Sequence, residues 1–211
     1  MRRVYSWRWA FFVMGLIVMT LGFTMVIKSA NVGTSAWDVL HIALFENFGL
    51  SIGSWNIITG LLIVGFTAIM VKSFPKIGTW LNMILCGVLI DFYYWILPNA
   101  SSMTFQIIYF LLGLLVLGFG CGMYIAPNLG AGPRDTLMMW IVERFGGSIK
   151  VARMSIELAV ALIGWFLGGP LGVGTVIIAV FSGYVVQFSL PYCRKMLMKA
   201  IGDVEEMKPF F

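Results

Sequence analysis

Charge is scarce in this sequence. Only 11% of its 211 residues are Asp, Glu, Lys or Arg, against about 25% in an average soluble domain. Apolar residues make up 60%, where roughly 45–50% is usual, and the mean hydropathy is +0.95. A soluble globule of 23.5 kDa cannot hide that much apolar surface, because most of a small domain's surface stays wet. The soluble classes are excluded: this is an integral membrane protein, with the lipid bilayer as its first partner. Histidine occurs once, as His41, and cysteine three times, as Cys86, Cys121 and Cys193. Without paired spacing, the cysteines give neither a disulfide framework nor a zinc knuckle. There is no His-Glu-x-x-His, no Gly-x-Ser-x-Gly, no His/Cys cluster and no P-loop. These absences argue against an enzyme, against a bound cofactor or metal, and against a self-contained ATP-driven pump.

What the sequence has instead is long apolar runs. A membrane helix needs about 20 mostly apolar residues, and such runs lie at about 9–27, 53–71, 77–97, 105–126, 151–168 and 173–192. Lys72, Pro75 and Lys76 separate the second from the third; Pro98, Asn99 and Ser101-Ser102 separate the third from the fourth. Gly168, Gly169, Pro170 and Gly172 form a turn between the fifth and sixth. Arg2 and Arg3 before the first run resemble a signal peptide, but the run is long for one and Lys28 spoils the cleavage region.

Lys and Arg concentrate in cytoplasmic loops. Six spans with both termini inside put every Lys and Arg except Lys28 on one side, 13 of 14. The net charge of +5 and pI near 9.2 therefore report topology and anionic headgroups rather than nucleic acid. The expected location is a membrane crossed several times, with both termini cytoplasmic.

The chain also repeats itself. Asn31-Val-Gly33-Thr-Ser35-Ala-Trp-Asp38-Val-Leu40 matches Asn128-Leu-Gly130-Ala-Gly132-Pro-Arg-Asp135-Thr-Leu137 at an offset of 128 − 31 = 97. In that register Glu46 meets Glu143, Phe48 meets Phe145, Gly49 meets Gly146 and Ser51-Ile52 meets Ser148-Ile149. Residues 31–52 thus hold nine identities in 22 positions, where residue usage alone gives roughly one or two. After a one-residue slip, Gly78-Thr79 matches Gly174-Thr175 and Gly87 matches Gly183. Three spans per copy is an odd number, so the second copy must be inverted. Inverted repeats are a transporter architecture with sites near mid-bilayer at the repeat interface. The expected fold is an all-α membrane protein of six transmembrane helices plus two short broken or re-entrant helices, in an inverted 3+3 repeat. Residues 1–98 form the first repeat, 99–192 the second, and 193–211 a basic cytoplasmic tail.

The two short helices are expected at 35–47 and 132–144, each about 20 Å long and too short for a hydrocarbon core of about 30 Å. They either dip into the membrane or lie along its surface. Asn31-x-Gly33 and Asn128-x-Gly130 supply residues that tolerate left-handed backbone. Asp38 and Asp135 are the candidate pathway carboxylates, with two compatible roles. Ser35-x-x-Asp38 has capping-box spacing, and Gly132-Pro133 places Asp135 third in its helix. Equally, two acids at broken-helix ends suit a cation, a proton or an amine on a central pathway.

Other polar residues carry the same double reading. Glu157 lies inside the fifth span, where acids usually face a pathway or a partner; Arg153, four residues earlier, offers an ion pair. Asp91 precedes the aromatic belt Phe92-Tyr93-Tyr94-Trp95 and shares its depth with Gln187, titrating or merely buried. Asn56, Asn82, Thr79 and Thr175 read as interhelical hydrogen-bonding glue, and Gly118-x-Gly120-x-Gly122 as close helix packing rather than a nucleotide motif. The 14 methionines are adaptable packing. In the tail, Arg194, Lys195 and Lys199 beside Met196, Leu197, Met198 and Ile201 read as a short basic surface helix, followed by Asp203-Val-Glu205-Glu206.

The paired motifs, above all Leu-Gly-Ala-Gly-Pro-Arg-Asp ending at Asp135, resemble the YczE/YyaS/YitT group of bacterial membrane proteins from the first span through the sixth. That resemblance implies a bacterial plasma-membrane protein and brings no ligand residues with it. The first copy has Ala36-Trp37 where the second has Pro133-Arg134, so a role for Arg134 belongs to the second half alone. Two functions are expected from this pattern. One is a secondary transporter or channel for a small polar solute or ion, using Asn31, Gly33, Ser35, Asp38, Asn128, Gly130, Gly132, Arg134, Asp135, Glu157 and Asp91. The other is a membrane scaffold or regulatory subunit, whose acids are capped and whose interior is filled. The small-residue faces permit a homodimer.

Overall fold

The computed structural model describes residues 2–72, 74–130, 132–146 and 149–202. Among these, eight helices and no strands occur: α1 (Arg2–Ile27), α2 (Ala36–Phe48), α3 (Ile52–Val71), α4 (Ile77–Ile96), α5 (Met103–Ile125), α6 (Pro133–Phe145), α7 (Ile149–Phe166) and α8 (Val173–Ile201). Five of them, α1, α3, α4, α5 and α8, are long and apolar enough to cross a membrane. Their outward faces carry exposed Ile69, Trp95 and Val176, which lipid accepts and water would not. The fifth expected span coincides with α7. At 18 residues it is the shortest of the long helices, and Lys150, Arg153 and Glu157 in its first half leave it too charged to be assigned by length and composition.

The two short helices stand one residue later than expected, because Ser35 and Gly132 are their caps. Each has 13 residues, and each stops at a glycine with positive φ, Gly49 at 74° and Gly146 at 73°, which a residue without Cβ adopts at little cost. The loops ahead of them do use left-handed backbone, at Gly33, Asn128 and Gly130, although Asn31 stays at negative φ. Ser51 and Ser102 cap α3 and α5 in the ordinary way, each hydroxyl accepting from a backbone N–H three residues on.

Helices α1 and α5 cross at the centre on glycines. A methyl group on Gly22 would strike the backbone of Leu117, one on Gly120 the backbone of Met19, and one on Gly15 the backbone of Tyr124. Small residues of this kind let helix backbones approach closely in a membrane. Phe12, Leu16, Met19, Cys86, Leu117 and Tyr124 form the main buried cluster around that crossing. Gly118 and Gly122 turn instead to α8, against Val185 and Ser189, as expected of packing glycines. Beyond this axis α1 packs on α4, α5 on α8, α2 on α7 and α3 on α6.

The C-terminal segment departs from expectation. Rather than ending near 192 and restarting as a separate surface helix, α8 continues through Pro191 to Ile201. Its inner face buries Cys193 and Leu197 completely, against Ala126, Phe11 and Met123. Proline interrupts a soluble helix by removing a hydrogen bond, but neighbouring helices let a membrane helix absorb one. The acidic stretch 203–206 and Lys208 lie outside the described residues, as does Ser148.

Candidate functional site

Where α2 and α6 begin, the bundle is not filled. A cavity of about 180 Å³ opens there, bounded by all eight helices. Six of the eleven expected site residues line it: Ser35 and Asp38 from α2 and its cap, Gly132, Arg134 and Asp135 from α6 and its cap, and Glu157 from α7.

Asp38 is 1% exposed and is held at the first turn of α2. The Ser35 hydroxyl donates to its Oδ2 at 2.6 Å, while the Asp38 backbone N–H donates to Ser35 Oγ at 3.3 Å. One turn on, fully buried His41 places Nε2 2.9 Å from the Thr59 hydroxyl. The Thr59 hydroxyl also lies 2.8 Å from the Trp55 carbonyl, to which it can donate. His41 Nδ1 is left 3.9 Å from Asp38 Oδ1 with no hydrogen-bond partner. Among the described residues no third His, Cys, Asp or Glu joins these two as a metal ligand.

Asp135 occupies the matching place in α6, but glycine at the cap offers no hydroxyl. Its Oδ2 instead accepts from the Tyr124 phenol of α5 at 3.1 Å. Glu157 pairs with Arg153 at 3.0 Å, the i, i+4 arrangement that the spacing suggested.

Arg134 is the residue for which the first half has no counterpart. Its guanidinium carbon lies 4.8 Å from the centre of the Trp37 ring and 5.7 Å from that of Phe23, within the reach of a cation–π attraction. Nη2 donates to the Asn56 side-chain oxygen at 3.1 Å. Asp38, Asp135 and Glu157 line the same cavity, yet among the described residues none of these forms an ion pair with it.

The remaining five expected residues do not line the cavity. Gly33 packs on the backbone of Gly174-Thr175 at the start of α8, and Gly130 on that of Gly78-Thr79 at the start of α4; Asn31 and Asn128 belong to the same two turns. Asp91 secures the start of α3, accepting from the Ser51 hydroxyl and from the Gly53 N–H at 2.8 Å. Conversely, the sequence reading left out Trp37, Phe23, Thr59 and Tyr124, and took Asn56 for packing glue. The available signal was Tyr124, a phenol inside an apolar span between the two motif loops.

Comparisons with known proteins agree with this picture of a membrane protein. Residues 6–191 match the family of unknown function DUF6198. The chain is 45% identical over 195 residues to the uncharacterised membrane protein YczE of Bacillus subtilis, covering 92% of this chain and 91% of that protein. It is 37% identical over 177 residues to an uncharacterised protein of Haemophilus influenzae, covering 83% and 79%. With the uncharacterised protein YyaS of Bacillus subtilis it shares 24% over 191 residues, covering 89% and 94%. No solved structure matches.

Proposed function

The chain belongs to the family of unknown function DUF6198, and from that membership and the cavity we propose that it is a secondary transporter or channel for a small polar solute. The observation that carries the reading is the cavity itself: charged side chains from both halves of the chain line unfilled space inside the helical bundle. A scaffold whose duplication was only a folding device would have that space packed with apolar side chains. At about 180 Å³ it is smaller than the roughly 300–1,000 Å³ of pockets for drug-sized ligands, so the solute is small.

In this reading the chain is an inverted repeat with α7 as its sixth crossing. About 27 Å long, α7 nearly matches a hydrocarbon core of about 30 Å, and its ion pair Arg153–Glu157 reaches the cavity lining. Reciprocal contacts support the duplication. Gly22 meets Leu117 while Gly120 meets Met19, and 120 − 22 = 117 − 19 = 98. Gly174 N–H donates to the Val32 carbonyl at 2.7 Å, and Gly78 lies against the carbonyl of Leu129, the repeat equivalent of Val32. The two halves differ in one respect. Helices α3 and α4 pack along each other through Gly53 and Gly87. Their counterparts α7 and α8 both line the cavity without packing in that way, and around Gly183, the partner of Gly87, there is open space. Alternating access needs such a difference between repeats, exchanged as one half rocks against the other. Both termini would be cytoplasmic, in a bacterial plasma membrane.

The test is accessibility of the cavity from each side. Ser182 of α8 lines it; Ser182→Cys, in a background with Cys86, Cys121 and Cys193 replaced, gives a single thiol. A membrane-impermeant thiol reagent should modify it from both faces of oriented vesicles. Modification from one face only, or from neither, would remove the transport reading.

A further inference from the structure

We propose that the solute is a small zwitterion, carrying one carboxylate and one ammonium group, and that it binds between Arg134 and Asp135. This inference rests on the transport reading for its direction across the membrane, but the site stands on its own geometry.

The argument starts from unlike charges that share a cavity without touching. A guanidinium carries five N–H donors in a planar fork; Arg134 uses one on Asn56, and the rings of Trp37 and Phe23 offer no lone pair to the others. A charge brought this far into a membrane protein normally has a partner. Two carboxylates are at hand, and Arg134 pairs with neither among the described residues. Each carboxylate is instead steadied by a hydroxyl group, Asp38 by Ser35 and Asp135 by Tyr124. The result is a cation and an anion held on the lining of one cavity with no ion pair between them among the described residues, a preorganised pair of opposite poles.

Charge counting excludes an anion, and the donors left over on Arg134 decide between an amine and a zwitterion. Arg153 and Glu157 neutralise each other, which leaves Arg134 against Asp38 and Asp135. A plain carboxylate would add a third negative charge to that group at low dielectric, where repulsion is strong. A plain amine would leave the guanidinium fork unmatched. A zwitterion satisfies both poles: its carboxylate fits the planar fork, and its ammonium meets the Asp135 carboxylate. Asp38 is less suited to that contact, being almost wholly buried and turned to Ser35 and His41.

Binding to the purified full-length protein tests this directly. The probes are the common α-amino acids, β-alanine and γ-aminobutyrate, set against acetate, propionate and butyrate and against the matching alkylamines. Thermal stabilisation and quenching of tryptophan fluorescence serve as readouts. At least one zwitterion should bind, at least tenfold more tightly than the carboxylate and the amine of the same carbon skeleton. Arg134→Lys, which keeps the charge and loses the fork, should weaken it at least tenfold, as should Asp135→Asn; Trp37→Phe should remove most of the quenching. Binding of simple carboxylates or amines as tight as any zwitterion, no binding across the panel, or full affinity in Arg134→Lys would each overturn the proposal. The same zwitterion in proteoliposomes separates the two readings. Specific binding with no flux leaves the site intact and removes transport. Failure to bind alongside two-sided modification of Ser182→Cys removes the zwitterion and leaves transport.

Discussion

The central crossing of α1 and α5 gives the sharpest stability prediction. In Gly120→Ala the added methyl carbon would sit 2.5 Å from the Met19 Cα and closer still to the Met19 nitrogen. Non-bonded carbons are comfortable at about 3.5–4.0 Å, so the two helices must part locally by ~1 Å. Overpacking typically costs about 1–3 kcal/mol, with side-chain rearrangement absorbing part of it. Here the obstructing atoms are backbone, which no rotamer change can move, so the cost falls at the upper end, about 3 kcal/mol. The companion variant is Gly183→Ala on α8, where nothing lies within 4 Å of the new methyl and helix propensity alone adds up to about 1 kcal/mol of stability. For a chain of this size each kcal/mol moves Tm by roughly 2–4 °C. Thermal unfolding in detergent, followed by near-ultraviolet circular dichroism, should therefore show Gly120→Ala melting about 6–12 °C lower and Gly183→Ala unchanged or slightly higher. Equal melting of the two variants would refute the claim that α1 and α5 are in backbone contact.

Two further predictions concern helix starts. Asp91→Ala removes a charge-assisted acceptor from the Ser51 hydroxyl and the Gly53 N–H; it should cost about 2–3 kcal/mol, read as a lower Tm, with solute affinity unchanged because Asp91 does not line the cavity. Ser35→Ala removes the reciprocal cap of α2; a loss of about 1 kcal/mol is expected, and denaturant unfolding that leaves the variant as stable as the parent would contradict the capping geometry.

How much of this was legible in the sequence follows from how far apart the interacting residues are. The apolar runs, their punctuation and the i, i+4 spacing of Arg153 and Glu157 are local, and they appear where expected. So does the Ser35–Asp38 cap, because both partners lie within one helical turn. Local reading fails at Asp91, whose partners are about 40 residues away, and at Arg134, which meets Asn56 across 78 residues and Trp37 from the other half. No periodicity encodes those meetings; they depend on α2 and α6 converging, which only the packed bundle fixes. The C-terminal helix is a different failure. Pro191 and the basic residues after it signal a break in solution chemistry, while burial of Cys193 and Leu197 against α1 and α5 keeps the helix continuous.

The most direct test of the account is the orientation of its two halves. Glu46 and Glu143 are repeat equivalents, 143 − 46 = 97, and both are exposed near the ends of α2 and α6. With the native cysteines replaced, Glu46→Cys and Glu143→Cys are labelled separately with an impermeant maleimide, in intact cells and after permeabilisation. Oppositely oriented halves around a shared cavity require Glu46→Cys to react in intact cells and Glu143→Cys to react only once the membrane is opened. Labelling of both from the same face would contradict the inverted arrangement.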